Sequence, residues 1–285
     1  AMNVPVEFLS CNGKKVWGCG HERFDGLINL NKEPEKIKKI KFNLNKYVME
    51  FIGTFFLVAT IGLTHINASL GHFAPIAVGA VLIGMIYTGG PISKAHYNPA
   101  VTLSVYLGKK CSKYDACFYL LAQVLGSILA AYSVIFIKGE TGTSSPIEIL
   151  PVFIAEFLFT FALVFVILNV GFSNRTKGNT YFGVAIGLTV VSGAYTVGSI
   201  SGASFNPAVS VGLIIMKLSS MSTFGIYLAS QCLASILAWK TFVDMLPEDK
   251  KDKVAFLMHT SPVDQNGTDL VKVKDAIAGP DANIF

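Results

Sequence analysis

Two asparagines carry the most specific chemistry in this sequence. Asn98 stands in AHYNPAV (95–101) and Asn206 in ASFNPAV (203–209). Asn followed by Pro reads as a helix start. The Asn side chain caps a free backbone N–H, and Pro suits the first helical position because its missing N–H costs nothing there. An amide that caps with its oxygen still has N–H groups to donate. A helix start also carries roughly half a positive charge. Each cassette is therefore a place that holds a neutral molecule with a lone pair and repels a cation. One Asn-Pro-Ala (Asn98, Pro99, Ala100) is a common pattern. A second one (Asn206, Pro207, Ala208) in matching surroundings demands a shared architecture.

The surroundings are apolar. The chain is 52% hydrophobic and 14% charged, against about a quarter charged in an average soluble domain. Six stretches have the ~17–25 residues needed to cross a bilayer: Tyr47–Ile66, Phe73–Gly89, Tyr114–Ile137, Ile149–Val170, Tyr181–Val197 and Thr223–Val243. Pro99–Leu107 and Pro207–Met216 are too short to span, and both start at a cassette. Of 23 Lys and Arg, only Lys138 and Lys217 fall on one side of this arrangement. The others lie before Tyr47, from Lys240 onward, or in the connections following spans two and four. This bias predicts that both termini are cytoplasmic. The positive net charge is thus topological and gives no sign of nucleic-acid binding.

The halves repeat. EFIGTFFLV (50–58) matches EFLFTFALV (156–164), and AQVLGSILA (122–130) matches SQCLASILA (230–238), at offsets of 106 and 108. Each half holds three spans and one short helix, so the second half enters the membrane inverted. Such repeats place a transport site near the midplane. Non-helical backbone at that depth is tolerated only where protein buries it or it lines a water-filled cavity. The fold predicted is an all-α integral membrane protein of six spans and two re-entrant half-helices. Repeat one covers about 47–137 and repeat two about 149–245. Residues 1–46 and 246–285 are cytoplasmic tails.

With these motifs the chain resembles the aquaporin, or major intrinsic protein, family from Lys46 to Asp244. The resemblance implies one pore per subunit, a homotetramer in membrane lipid, and passage of water and small neutral solutes without a cofactor or metal. It implies that Glu50 and Glu156 hold the re-entrant loops through backbone N–H groups, and that His96 braces the first loop. An intramembrane carboxylate is expensive, and two in register are expected to work. Gly183, Gly187 and Gly79 read as close helix packing.

The departures bear on selectivity. Family members typically carry Arg after the second cassette; here it is Val209. The positions that complete that constriction are Val78, Ala194 and Ala203, so the filter predicted is wide, apolar and uncharged. Ser210, Ile214 and the short Lys138–Glu148 connection favour the water-channel branch. Leu228 points to solute facilitators. Lys94 replaces the usual Gly in SKAH (93–96) and, with His96, marks a candidate gate at the cytoplasmic mouth. The alternatives are a facilitator of glycerol, urea, hydrogen peroxide or ammonia, and a channel gated or closed by its N-terminal tail.

Other classes fit less well. An ion-coupled transporter would need an ionisable residue in the path beyond the paired glutamates and Lys94. No nucleophile–base set, metal-ligand spacing or phosphate loop suggests an enzyme. The five cysteines show no disulfide spacing. Asn67-Ala-Ser69 falls on the outer side as a glycosylation sequon. The membrane expected is the plasma membrane or a vacuole-type internal one. The N-terminal tail, with Trp17, Phe24 and Leu27, reads either as a trafficking segment or as a plug. Deleting residues 1–40 separates the two, because only loss of a plug changes permeability.

Overall fold

The computed structural model describes residues 8–11, 14–17, 43–66, 70–144 and 148–246. The chain forms two units, 1–43 and 44–285. In the first, β1 (Phe8–Cys11) pairs antiparallel with β2 (Lys14–Trp17), with Phe8 opposite Trp17 and Cys11 opposite Lys14. The sequence signal for this ribbon is the Asn12-Gly13 pair between the strands, a strong short-range hairpin mark. Composition alone had hidden it. Trp17 thus stands at a strand end, whereas Phe24 and Leu27 lie outside the described residues, as does the Asn67 sequon.

The second unit has helices and no strand among its described residues. Its helices are α1 (Leu44–His65), α2 (Ala74–Ser93), α3 (Pro99–Leu107), α4 (Lys113–Lys138), α5 (Ile149–Ile167), α6 (Phe182–Ser201), α7 (Pro207–Ile215) and α8 (Met221–Met245). A π-helical turn, Leu168–Phe172, extends α5. Six of these segments are long and apolar enough to span a membrane. Local chemistry sets the ends. Ser112 accepts the Asp115 N–H to start α4, and Gly139, at φ 72°, ends it. Asn98 and Asn206 start α3 and α7 from extended backbone, with Pro at the next position.

The packing follows the repeat. α1 lies against α4 and α5 against α8, while α2 meets α6 between the halves. The half-helices α3 and α7 meet each other inside this frame. Large apolar side chains such as Phe136 and Leu129 stay exposed on the outside. In a soluble protein they would form a sticky patch; in a bilayer they face lipid tails.

Close approach needs missing side chains. A Cβ on Gly126 of α4 would sit 2.5 Å from the Phe51 carbonyl oxygen of α1. A Cβ on Gly187 would sit 3.0 Å from the Gly79 carbonyl, so α2 and α6 touch at backbone distance. Gly126→Ala is therefore expected to destabilise the protein by about 1–3 kcal/mol through backbone displacement. Gly84→Ala, where nothing lies within 4 Å, should be neutral or mildly stabilising. Thermal unfolding of both variants in detergent checks the contrast.

Candidate functional site

The site begins with two loops that no ordinary sequence would hold in place. Residues 94–97 lead into α3 and residues 202–205 into α7. In each, three residues adopt left-handed backbone: Lys94 (φ 75°), Ala95 (53°) and Tyr97 (50°) in one, Gly202 (78°), Ala203 (50°) and Phe205 (50°) in the other. Only Gly202 does so freely; each of the others costs on the order of 1–2 kcal/mol. Lys94 is exposed and caps α2 through its own N–H to the Gly90 carbonyl at 3.2 Å.

The carboxylates hold this backbone. Glu50 Oε1 accepts from the Ser93 hydroxyl (2.6 Å) and the His96 N–H (2.9 Å). Its Oε2 accepts from the Tyr97 N–H (2.6 Å) and Gln123 Nε2 (2.7 Å). Glu156 repeats the pattern with Ser201 (2.7 Å), Ser204 N–H (2.9 Å), Phe205 N–H (2.7 Å) and Gln231 (2.8 Å). Both are fully buried. Four donors meet the four acceptor sites of a carboxylate. His96 adds a bond between Nδ1 and the Thr102 hydroxyl at 3.1 Å.

The asparagines then tie the loops together. Asn98 Oδ1 accepts the Ala100 N–H (2.8 Å), and its Nδ2 donates to the Phe205 carbonyl (2.9 Å). Asn206 Oδ1 accepts the Ala208 N–H (2.9 Å), and its Nδ2 donates to the Tyr97 carbonyl (2.8 Å). Each amide thus spends one hydrogen across the pseudo-twofold axis and keeps a second. Ala100 and Ala208 are fully buried, and their carbonyls accept from Ser235 and Ser127 on the opposite repeat's helices.

Both asparagines line one cavity of about 420 Å³. Val78, Ala194, Ala203 and Val209 line it together. His96 lines it as well, whereas Lys94 does not. Sequence reasoning missed most of the wall: the pairs Leu57/Leu163, Ile61/Ile167, Leu82/Val190 and the Val101 mate of Val209. The signal was available, because each pair is related by the repeat offset. Among the described residues, no Lys, Arg, Asp or Glu lines the cavity. Besides the two asparagines, its polar lining residues include His96, Tyr97, Ser204, Thr64, His65, His72, Tyr195 and Ser199.

The family model described as Major intrinsic protein matches residues 35–190 and 143–271. The chain belongs to the major intrinsic protein family. Within it, nodulin-26 of Glycine max is 33% identical over 69% of this chain and 78% of its own length. Probable aquaporin NIP4-2 of Arabidopsis thaliana is 35% identical over 60% of this chain, and the match spans 64% of that protein, under two thirds of it. Glycerol uptake facilitator protein-like 6 of Lactiplantibacillus plantarum is 32% identical over 68% of this chain and 95% of its own. The aquaglyceroporin from Plasmodium falciparum superposes with a TM-score of 0.60 at 22% identity, covering 73% of this chain and 98% of that one, which establishes the shared fold. As a major intrinsic protein the chain is a multi-pass membrane protein.

Two stability outcomes follow. Glu156→Gln turns an acceptor oxygen into a donor facing existing N–H donors, and is expected to cost about 3 kcal/mol or more. Glu50→Gln should cost a similar amount. Lys94→Gly relieves left-handed strain and should stabilise by ~1 kcal/mol, with permeability unchanged because the side chain is off the lumen. Melting temperatures in detergent, with flux measured in parallel, check all three.

Proposed function

We propose that the chain is a passive channel that conducts water and small uncharged solutes and excludes ions and protons. The observation that carries this reading is the centre of the cavity. Two half-helix starts, capped by Asn98 and Asn206, meet there from opposite sides. Their dipoles set a positive potential at the centre of the cavity, and cations including hydronium meet a barrier. A neutral molecule meets amide donors and apolar walls.

Val78, Ala194, Ala203 and Val209 form the selectivity filter. With no charged residue and two alanines it is wider than an Arg-bearing one and offers no bidentate donor. It admits solutes larger than water, in keeping with the chain's similarity to the glycerol uptake facilitator protein-like 6 of Lactiplantibacillus plantarum. Glu50, Glu156 and His96 brace the loops behind it.

Both termini face the cytoplasm, since Lys and Arg gather on that side. Lipid surrounds the exposed apolar faces, and four copies assemble with one pore each. The second reading, a facilitator whose main cargo is glycerol or a similar solute, is favoured by the small residues of the filter alone.

Stopped-flow light scattering on liposomes holding the full chain tests this. Sucrose challenge should give shrinkage well above that of empty liposomes, and glycerol challenge should add rapid re-swelling. Val209→Arg should lower glycerol influx by about tenfold, through narrowing and a polar toll, and water flux less. Shrinkage equal to empty liposomes in sucrose would overturn the channel reading. Fast water flux with no glycerol influx would overturn the wide filter.

A further inference from the structure

Each asparagine reaches across the pseudo-twofold axis to the residue before the other asparagine. Asn206 Nδ2 donates to the Tyr97 carbonyl at 2.8 Å, and Asn98 Nδ2 donates to the Phe205 carbonyl at 2.9 Å. Where those two carbonyls stand decides where the remaining hydrogen of each amide points. Both carbonyls belong to left-handed residues, each at φ 50°. In a residue other than glycine, that conformation persists only where the surroundings over-determine it. The glutamates fix Tyr97 and Phe205 by their N–H groups. Their side chains are a second, separate hold.

Among the described residues, Tyr97 and Phe205 are the largest fully buried side chains. The Tyr97 ring lies in a slot that exists because two glycines carry no side chain. A Cβ on Gly53 of α1 would run into the ring edge, and a Cβ on Gly89 of α2 would run into the hydroxyl. At the end of the slot the hydroxyl donates to the Met85 carbonyl of α2 at 2.9 Å. A rigid ring stopped at its far end resists sliding and tipping, and the backbone carbonyl at its near end is held with it.

The second half meets the same demand with other residues. Phe205 has no hydroxyl. Its ring lies 5.6 Å from the Phe159 ring, with the planes at 30°. Its room comes from Gly193, whose Cβ would sit 2.6 Å from the ring. By the repeat offsets, Phe159 is the mate of Gly53, Gly193 of Met85 and Val197 of Gly89. Bulk and glycine have changed places around the ring, while both halves keep a buried ring and an accepting carbonyl. The hydroxyl stop belongs to Tyr97 alone of the two.

We propose that Tyr97 is the positioning residue for Asn206: its ring, seated between Gly53 and Gly89 and stopped by its hydroxyl on the Met85 carbonyl, aims the amide of the opposite half at the lumen. A change on α2 of the first half is therefore felt at the second cassette. Asn98, whose acceptor is Phe205, is spared. The proposal rests on the channel reading for its effect on flux; the placement of the amide is read independently.

The full chain in liposomes, isotope-labelled at its asparagine side-chain nitrogens, tests both. Solid-state NMR reads the Asn98 and Asn206 amides, and a sucrose challenge reads water flux. In Tyr97→Phe the Asn206 resonance should shift and broaden, the Asn98 resonance should stay, and water permeability per protein should fall several-fold. Gly89→Ala, whose methyl displaces the hydroxyl, should act the same way. The double variant puts the methyl where the hydroxyl was. It should bring the Asn206 resonance and the flux back towards wild type, whereas two merely structural losses would add. An unmoved Asn206 in Tyr97→Phe, or an Asn98 moved equally, overturns the proposal. So does unchanged flux where wild type conducts. If wild type matches empty liposomes, the channel reading falls and the Asn206 resonance alone decides the placement. Should neither single variant reconstitute as a monodisperse protein, the double variant is expected to do so, and its failure overturns the proposal.

Discussion

The interaction on which the structure depends is the fourfold grip of each buried glutamate on a re-entrant loop. Irregular backbone inside a bilayer cannot turn to water for its hydrogen bonds. Glu50 and Glu156 each take two backbone N–H groups, one hydroxyl and one amide. That grip holds Ala95, Tyr97, Ala203 and Phe205 in left-handed backbone. With the loops so fixed, Asn98 and Asn206 reach the carbonyl of the opposite loop, and the half-helix starts face each other. The pore is a consequence of two carboxylates placed outside it.

From this frame the lumen inherits both its symmetry and its chemistry. The asparagines are the central donors, and the walls beside them are leucine, isoleucine and valine in matched pairs. With Val at both 101 and 209 the two sides of the centre are alike where the family usually differs. Discrimination against cations therefore falls on the helix dipoles, which act at the midplane, in place of a side-chain charge nearer one mouth. What asymmetry remains lies at the ends. One mouth carries His65, His72 and Tyr195; the other ends at His96 beside the π-helical turn.

Much of this was legible in the sequence because bilayer constraints are strict. Helix bounds agree within a few residues, and Pro99–Leu107 agrees at both ends, since Asn-Pro fixes the start and Gly108 the finish. α2 runs on to Ser93, past Pro91, because the left-handed Lys94 supplies its cap. Val78, Ala194, Ala203 and Val209, far apart in the chain, line one cavity. The inner wall was readable only in pairs: once Leu57 is known to face the lumen, the offset names Leu163. The π-helical turn was not readable. Nothing in LNVGF distinguishes it from plain α-helix, and its geometry depends on Thr176 and Asn179 returning to the helix. Lys94, a candidate gate at the cytoplasmic mouth by sequence, is exposed and is not among the residues lining the cavity.

The central claim is that opposed half-helix dipoles alone exclude protons from a pore with no charged filter. Liposomes loaded with a pH-sensitive dye allow proton and water flux to be read from the same vesicles across a range of protein densities. The account predicts that water flux rises in proportion to protein while proton flux under an imposed pH gradient stays at the level of empty liposomes. Proton flux that climbs with protein density alongside water would contradict it, and would show that the missing arginine had been indispensable.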